Sequence, residues 1–397
     1  MRAVGEDPLR QLLSQVHLAR AEDLPMMLQQ VAPGVGARLL TPYLVDYTQR
    51  LLVPLQPCAH PAAESLTIDG TLAGRAYRTV TVQRSTADDV RRVWVPLLDG
   101  TERLGVLEAV VLEEPDDEAV GELLSLAGLF AELLTTRSAY GDAVERTRRR
   151  QPMSLAAELQ WGLLPPLTYA TPDLVVAAVL EPCYDIGGDS FDYAVNDATL
   201  HVGLFDAVGH GIEAAQLVAL AMAAYRSARR TGLDLADTAT SVDRWISQQF
   251  PDTFVTGVLL ELESQSGELR TVNAGHPSPL VFRAARHVRT LPGPTRFPFG
   301  LGRYGPGSVA VEVLEHGDRV LLYSDGIVEA RRPDGQEFGL ELLVDFVGRQ
   351  LAAELPAPET MRRLVHQILE HQQDALQDDA TAVLVEWARE GSERILP

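Results

Sequence analysis

At 397 residues, 46% hydrophobic and 22% charged, the chain has the make-up of a globular protein of two or three domains, each able to bury a core. Its formal charge of −21 sets the surface against nucleic acid and anionic lipid, and suits a protein that gathers carboxylates around divalent cations. All 34 basic residues are arginine, which excludes P-loop enzymes, protein kinases and pyridoxal enzymes, since each of these needs a lysine.

No apolar run approaches the ~20 residues that span a bilayer. The opening "MRAVGEDPLRQLLSQVHLAR" has neither the apolar core nor the cleavage site of a signal peptide. Two cysteines, Cys58 and Cys183, are too few for a disulfide framework or a thiolate zinc site, so a cytoplasmic protein is expected.

In chain order, residues 1–115 read as an α/β module. A helix is expected over "DPLRQLLSQVHLARAEDLPMMLQQVA", ending at Pro33-Gly34, and strands over "ARLLTPYLVDY", "RLLVPLQ", "YRTVTVQR", "VRRVWVPLLD" and "RLGVLEAVVLEE". The last two flank Gly100 as a hairpin would. This order, clearest in "VWVPLLDGTERLGVLEAVV", resembles a GAF-type sensory domain, which implies a small-molecule or protein signal. Residues 116–164 read as a helical linker and switch helix. Leu123, Leu124, Ala127, Phe130, Leu133 and Leu134 form a helical stripe that packs on its own domain or joins two copies in a homodimer; the homodimer is the expectation. "ERTRRRQP" reads as a solvated linker that breaks at Gln151-Pro152, before a second helix, "SLAAELQWGLLPP". Residues 165–390 then alternate strands ("LVVAAVLEP", "TLHVGLFDAV", "FVTGVLLELE", "ELRTVNAGH", "VAVEVLEHGDRVLLYSDG", "ATAVLVEW") with helices ("GIEAAQLVALAMAAYRSARR", "LADTATSVDRWISQQF", "GLELLVDFVGRQLAAE", "PETMRRLVHQILEHQQDAL").

Within this last region four acidic corners punctuate the strands: "GGDSFD", "LFDAVGHG", "LYSDGIVEA" and "LQDDAT". A carboxylate at the end of a buried strand is costly unless paired or bound to a cation. Singly, each corner reads as a common turn or helix cap. Together they invite one shared site for hard cations such as Mn²⁺ or Mg²⁺, which take oxygen ligands.

The order "YDIGGDSFD", "FDAVGHG", "VNAGHPSPL", "LLYSDGIVEA", "DDAT", with "LAAELQWGLLPPL" upstream, resembles the SpoIIE/RsbU-type branch of the PPM (PP2C-like) serine/threonine phosphatases. The resemblance covers residues 153–388. It implies an α/β multidomain chain with a C-terminal α-β-β-α sandwich that hydrolyses phosphoserine or phosphothreonine with water activated by two cations, with a third ion a further option. Carried onto this chain, Asp189, Asp206, the carbonyl of Ala207, Asp325 and Asp378 are the implied metal ligands. Asp192 and Asp379 are implied as outer or third-metal ligands. Asn273, Gly275 and His276 look structural. Val208 stands where relatives carry a proton-donating histidine, so His210 or a metal-bound water is left as the general acid. The implied substrate is a phosphorylated STAS-type anti-sigma factor antagonist, dephosphorylated under control of the N-terminal module. Two rival readings are a catalytically dead, metal-stabilised scaffold and a nucleotidyl cyclase suggested by "IGGDSF". The cyclase reading lacks the motif's glutamate, since Ser190 stands in its place.

Overall fold

The structure, a computed structural model, describes residues 8–57, 63–87, 89–185, 187–302, 307–373 and 378–388. Two compact units divide the chain, residues 1–152 (with 394–397) and residues 153–393. Cys58 and the basic residue Arg303 lie outside the described residues.

In the first unit, α1 (Pro8–Gln15) and α2 (Leu24–Val31) lead into β1 (Ala37–Val45), β2 (Leu51–Pro54) and β3 (Leu66–Thr67). After α3 (Leu72–Thr79) come β4 (Gln83–Ala87), β5 (Val90–Asp99), β6 (Glu102–Val111), α4 (Asp117–Ser138) and α5 (Ala143–Arg148). The strands form one antiparallel sheet in the order β3-β2-β1-β6-β5-β4. Gly100, at φ 58°, turns β5 into β6 as the sequence suggested.

Four readings of this unit change. The opening helix breaks into α1, two 3₁₀ turns and α2, because Pro25 starts a new helix and Arg20 and Asp23 cap the turn before it. The strand expected at "YRTVTVQR" is half helix: Thr71 caps α3 by accepting from the Gly74 amide, and Ala73, Ala76 and Tyr77 are buried. Helix α4 packs on its own domain, with Leu123, Leu126, Ala127, Phe130 and Leu134 in one core with Leu12, Leu28, Leu40, Val95 and Leu107. By length and composition α4 could cross a membrane, but these side chains lie in that core. Nor is the basic run a free linker: α5 takes in part of it, and Arg148 donates to the Val45 carbonyl and stacks on Tyr47.

The second unit opens with α6 (Leu155–Trp161), capped by Ser154, and β7 (Thr168–Ala170). Next come β8 (Leu174–Glu181), β9 (Asp189–Asn196), β10 (Thr199–Ala207), α7 (Gly211–Arg230), α8 (Leu235–Gln249), β11 (Val255–Glu263) and β12 (Glu268–Ala274). The chain continues through β13 (Leu280–Arg283), β14 (Arg286–Thr290), β15 (Ala310–Val313), β16 (Arg319–Tyr323), α9 (Asp325–Val328), α10 (Gly339–Ala352), α11 (Ala357–His371) and β17 (Ala380–Trp387). The run read as "VAVEVLEHGDRVLLYSDG" is thus two strands, and β9 is a strand that the sequence reading had not assigned.

Two antiparallel sheets result, β15-β12-β11-β10-β9 and β14-β13-β16-β17-β8-β7. Alternate residues of their strands meet in one core, including Phe191, Leu204, Val258, Leu322 and Val383. The opposite face of the first sheet packs through Phe205, Leu259 and Val272 on α7 and α8. Helix α11 covers β8 and β17 of the second sheet, which completes α-β-β-α layering.

Candidate active site

All four acidic corners sit where strands of the two sheets start or stop at the same end. Asp189 opens β9 and lies directly opposite Asp206 on β10, which in turn faces Thr256 on β11. From the other sheet, β16 ends at Tyr323 and leads into Asp325, while Asp378 and Asp379 precede β17 beside it. Glycines permit the crowding. A Cβ on Gly188 would stand 2.4 Å from the Ala207 carbonyl oxygen, and one on Gly326 would stand 2.0 Å from that of Asp379. Gly187 itself lies under the His210 backbone, which places the exposed His210 at the rim.

Period-two alternation settles which carboxylates share a face. Asp189 points with Phe191 into the space between the sheets, whereas Ser190 donates to Met222 Sδ on α7 at 2.9 Å. Asp192, an odd number of residues from Asp189, therefore turns away. It is 2% exposed and meets Arg226 (Nη2–Oδ1 2.6 Å) and Arg229 (Nη1–Oδ2 2.9 Å) of α7. Its expected role as an outer or third-metal ligand is not what this geometry provides.

Asp379 is occupied too. Its carboxylate accepts from the amides of Gly187 (2.7 and 3.0 Å), Gly188 (2.7 Å) and Asp189 (3.1 Å), clamping the "GGD" loop. This is the work of a buried acceptor in a nest of N–H groups.

The remaining acids repel one another. Burial, then Asp206 and Asp379, push Asp189 well above the usual carboxylate range, against the hydroxyls of Ser324 and Thr381. Burial, then Asp325, Asp378 and Asp379, raise Asp206 to about 7. Burial, then Asp378 and Glu329, raise Asp325. Asp379 is also raised, by burial above all, although the three amides oppose this.

Two sites the sequence reading treated lightly complete the surroundings. Asn273 and His276 clasp one turn, with Asn273 Oδ1 accepting from the His276 amide and Nδ2 donating to the His276 carbonyl. Gly275, at φ 74°, makes that turn possible. The ring of His276 meets the Thr256 hydroxyl at 2.8 Å, and burial lowers its pKa to about 4. It is a neutral, structural histidine. Gln160 of α6 was missed altogether. Wholly buried, its amide donates to the carbonyls of Asp189 (3.0 Å) and Gly187 (3.4 Å). The signal was present in "LAAELQW": a glutamine on the face that also buries Ala156 and Ala157 has to find a polar partner.

The donors here are all oxygens, the chemistry that hard divalent cations take. Asp189 Oδ2 is buried and has no hydrogen-bond partner among the described residues, as an oxygen meant for a cation would be. In chemistry, then, the residues fit such an ion. Among the described residues, no three His, Cys, Asp or Glu side chains already converge closely enough to hold one.

Comparison with known proteins agrees with this architecture. The family model described as Stage II sporulation protein E (SpoIIE) matches residues 196–388, beginning just after the "GGDSFD" corner. The chain is 20% identical over 239 residues to the phosphoserine phosphatase RsbU of Bacillus subtilis, covering 59% of this chain and 70% of that one. With the phosphoserine phosphatase RsbP of the same organism it shares 24% over 211 residues, 51% of this chain and 49% of that one. It thus spans only about half the length of RsbP. Among solved structures, the RsbU and RsbW domains of Rv1364c from Mycobacterium tuberculosis superpose with a TM-score of 0.50 at 27% identity, covering 56% of this chain and 62% of that one. The SiaA-PP2C domain of Pseudomonas aeruginosa gives 0.50 at 21% identity, with 59% and 94% covered. Layering, strand order of the acidic corners and these similarities lead to one statement: residues 153–393 have the fold of the PP2C-like phosphatases of the SpoIIE/RsbU kind.

Proposed function

We propose that this chain is a metal-dependent phosphatase of phosphoserine and phosphothreonine, acting on a STAS-type anti-sigma factor antagonist under control of a GAF-like N-terminal unit. The observation that carries the reading is the gathering of Asp189, Asp206, Asp325 and Asp378 at one end of the two sheets, where burial and mutual repulsion raise Asp189, Asp206 and Asp325, and where Asp189 Oδ2 is buried with no partner among the described residues. Similarity to curated phosphoserine phosphatases supports the reaction.

Asp189, Asp206, the Ala207 carbonyl, Asp325 and Asp378 would hold Mn²⁺ or Mg²⁺. When bound, a pair of such ions lowers the pKa of water and neutralises phosphoryl charge. The protein's own groups do the rest. Asp379 fixes the "GGD" amides so that Asp189 faces Asp206 rather than solvent. Water adds to phosphorus as the serine or threonine oxygen leaves, and that oxygen must gain a proton. His276 is buried and neutral, with its ring committed to Thr256, so it is a poor donor. We assign that proton to the exposed His210, which heads α7 at the rim.

Regulation follows from α6. Gln160 holds the carbonyls on either side of Gly188, so any displacement of α6 is felt at Asp189. The cyclase reading finds no support: "GGDSFD" links β8 of one sheet to β9 of the other and is not the turn of a hairpin.

The test is phosphate release from a phosphorylated STAS protein with Mn²⁺, using wild type, Asp206→Ala and Asp325→Ala. Metal-dependent release that both substitutions abolish is expected. No release by the wild type from that substrate or from p-nitrophenyl phosphate would leave the scaffold reading instead.

A further inference from the structure

Asp192 raises a question the metal site does not answer. A buried carboxylate needs one strong partner, and this one has two arginines on successive turns of α7. They are not equivalent. Arg229 spends Nη1 on Asp192 and lies over the Tyr225 ring. Arg226 reaches Asp192 with Nε (3.0 Å) and Nη2 (2.6 Å), and the same Nη2 donates to the Leu163 carbonyl at 2.6 Å.

Leu163 follows directly on α6, its amide bonded to the Gln160 carbonyl. Its side chain is half-buried against the core under α7 and α8. A half-open cavity of about 350 Å³ lies against its side chain, walled by Met222, Ala223 and Arg226 among others. That packing is incomplete on the cavity side, and the Arg226 hydrogen bond adds a directional link that ties the height of this segment to β9.

We infer that Arg226 is a positioning residue for Asp189. By gripping the Asp192 carboxylate and the Leu163 carbonyl at once, it locks the exit of α6 to the strand that Asp189 opens. Helix α6 is then fixed to β9 at two heights, through Gln160 at the "GGD" loop and through Arg226 at Asp192. Losing the lower link lets α6 pivot about Gln160 and drags on the carbonyl of Asp189. This inference rests on the phosphatase reading only where it concerns the cation; the mechanical link stands without it.

The test compares Arg226→Gln with Arg229→Gln, both in the full chain. Each removes one partner of Asp192, but only the first releases Leu163. Hydrogen exchange is measured on metal-free protein over residues 160–164 and 187–192, and Mn²⁺ binding by calorimetry. For Arg226→Gln, exchange about 10-fold faster in both segments and Mn²⁺ affinity about 10-fold weaker are expected, while Arg229→Gln stays within about 2-fold of wild type. Equal effects of the two substitutions would show that Arg226 merely neutralises Asp192 and would overturn the inference, as would unchanged exchange over 187–192 in Arg226→Gln. Should Arg226→Gln not fold, Arg226→Lys keeps the charge but cannot span both acceptors, and the same criteria apply to it. A wild type that ignores Mn²⁺ would sink the phosphatase reading, yet the exchange comparison would still decide the role of Arg226.

Discussion

Replacing Asp206 by asparagine should stabilise the metal-free protein while destroying its activity. Asp206 has its pKa raised from 3.8 to about 7, by burial and then by Asp325, Asp378 and Asp379. A carboxyl that holds its proton more tightly in the folded state favours folding at low pH. That advantage is complete below 3.8 and is lost as pH rises toward 7. The ionised group consequently costs the fold about 4 kcal/mol at pH 8 and about 2 kcal/mol at pH 5, at 1.36 kcal/mol per pKa unit. Because the neighbouring acids share the repulsion, asparagine should return about 2–4 kcal/mol at pH 8 and clearly less at pH 5. For a unit of this size that is a rise in melting temperature of roughly 5–15 °C. The assay is urea or thermal denaturation of both proteins in EDTA at the two pH values, repeated with Mn²⁺. Wild type should gain stability from Mn²⁺ and the variant much less. An Asp206→Asn protein no more stable than wild type at pH 8, or equally stabilised at both values, would refute the claim that these carboxylates strain one another.

Three more outcomes follow from the same geometry. Gly326→Ala should lower phosphatase activity by more than about 10²-fold, since its Cβ would meet the Asp379 carbonyl at 2.0 Å and shift the segment carrying Asp325; circular dichroism should show the overall fold retained. His276, held near 4 by burial, makes the fold lose stability as pH falls from about 6.5 to about 4, by about 3 kcal/mol in all. This opposes the Asp206 slope, so denaturation of Asp206→Asn between pH 4 and 7 should expose it, and a further His276→Gln change should flatten it. His210→Ala should cut kcat on a phosphoserine peptide about 10²-fold yet spare p-nitrophenyl phosphate, whose leaving group needs no proton. Equal losses on both substrates would assign His210 another task.

How much of this was legible in the sequence depends on what each signal encodes. Strands buried on both faces, such as "LVVAAVLEP" and "ATAVLVEW", declare themselves by apolar runs, and the acidic corners at strand ends by the cost of burying charge. Strand β9 did not, because its buried half, Asp189 to Asp192, is mostly polar and follows two glycines, while its partly exposed end, Tyr193 to Asn196, is too short to show a period. The α4 stripe gave a helix with one apolar face, but periodicity names no partner for that face, so the boundary between the units fell elsewhere. The orientation of Asp192 could have been read: three residues from Asp189 in a strand means the opposite face. The clamp by Asp379 could not, since it joins residues some 190 positions apart through backbone amides that any sequence possesses.

That clamp bears on how the candidate site is assembled. Strand β17 is the last strand among the described residues, but it lies in the middle of its sheet, between β16 and β8. Until the ribosome has released it, β8 has no neighbour on that side and the loop bearing Asp189 has no acceptor for its amides. A nascent chain therefore carries every other candidate ligand in unassembled form. The loop bearing Asp189 thus takes its clamped form only after β17 has joined the sheet, however early the loop itself was made.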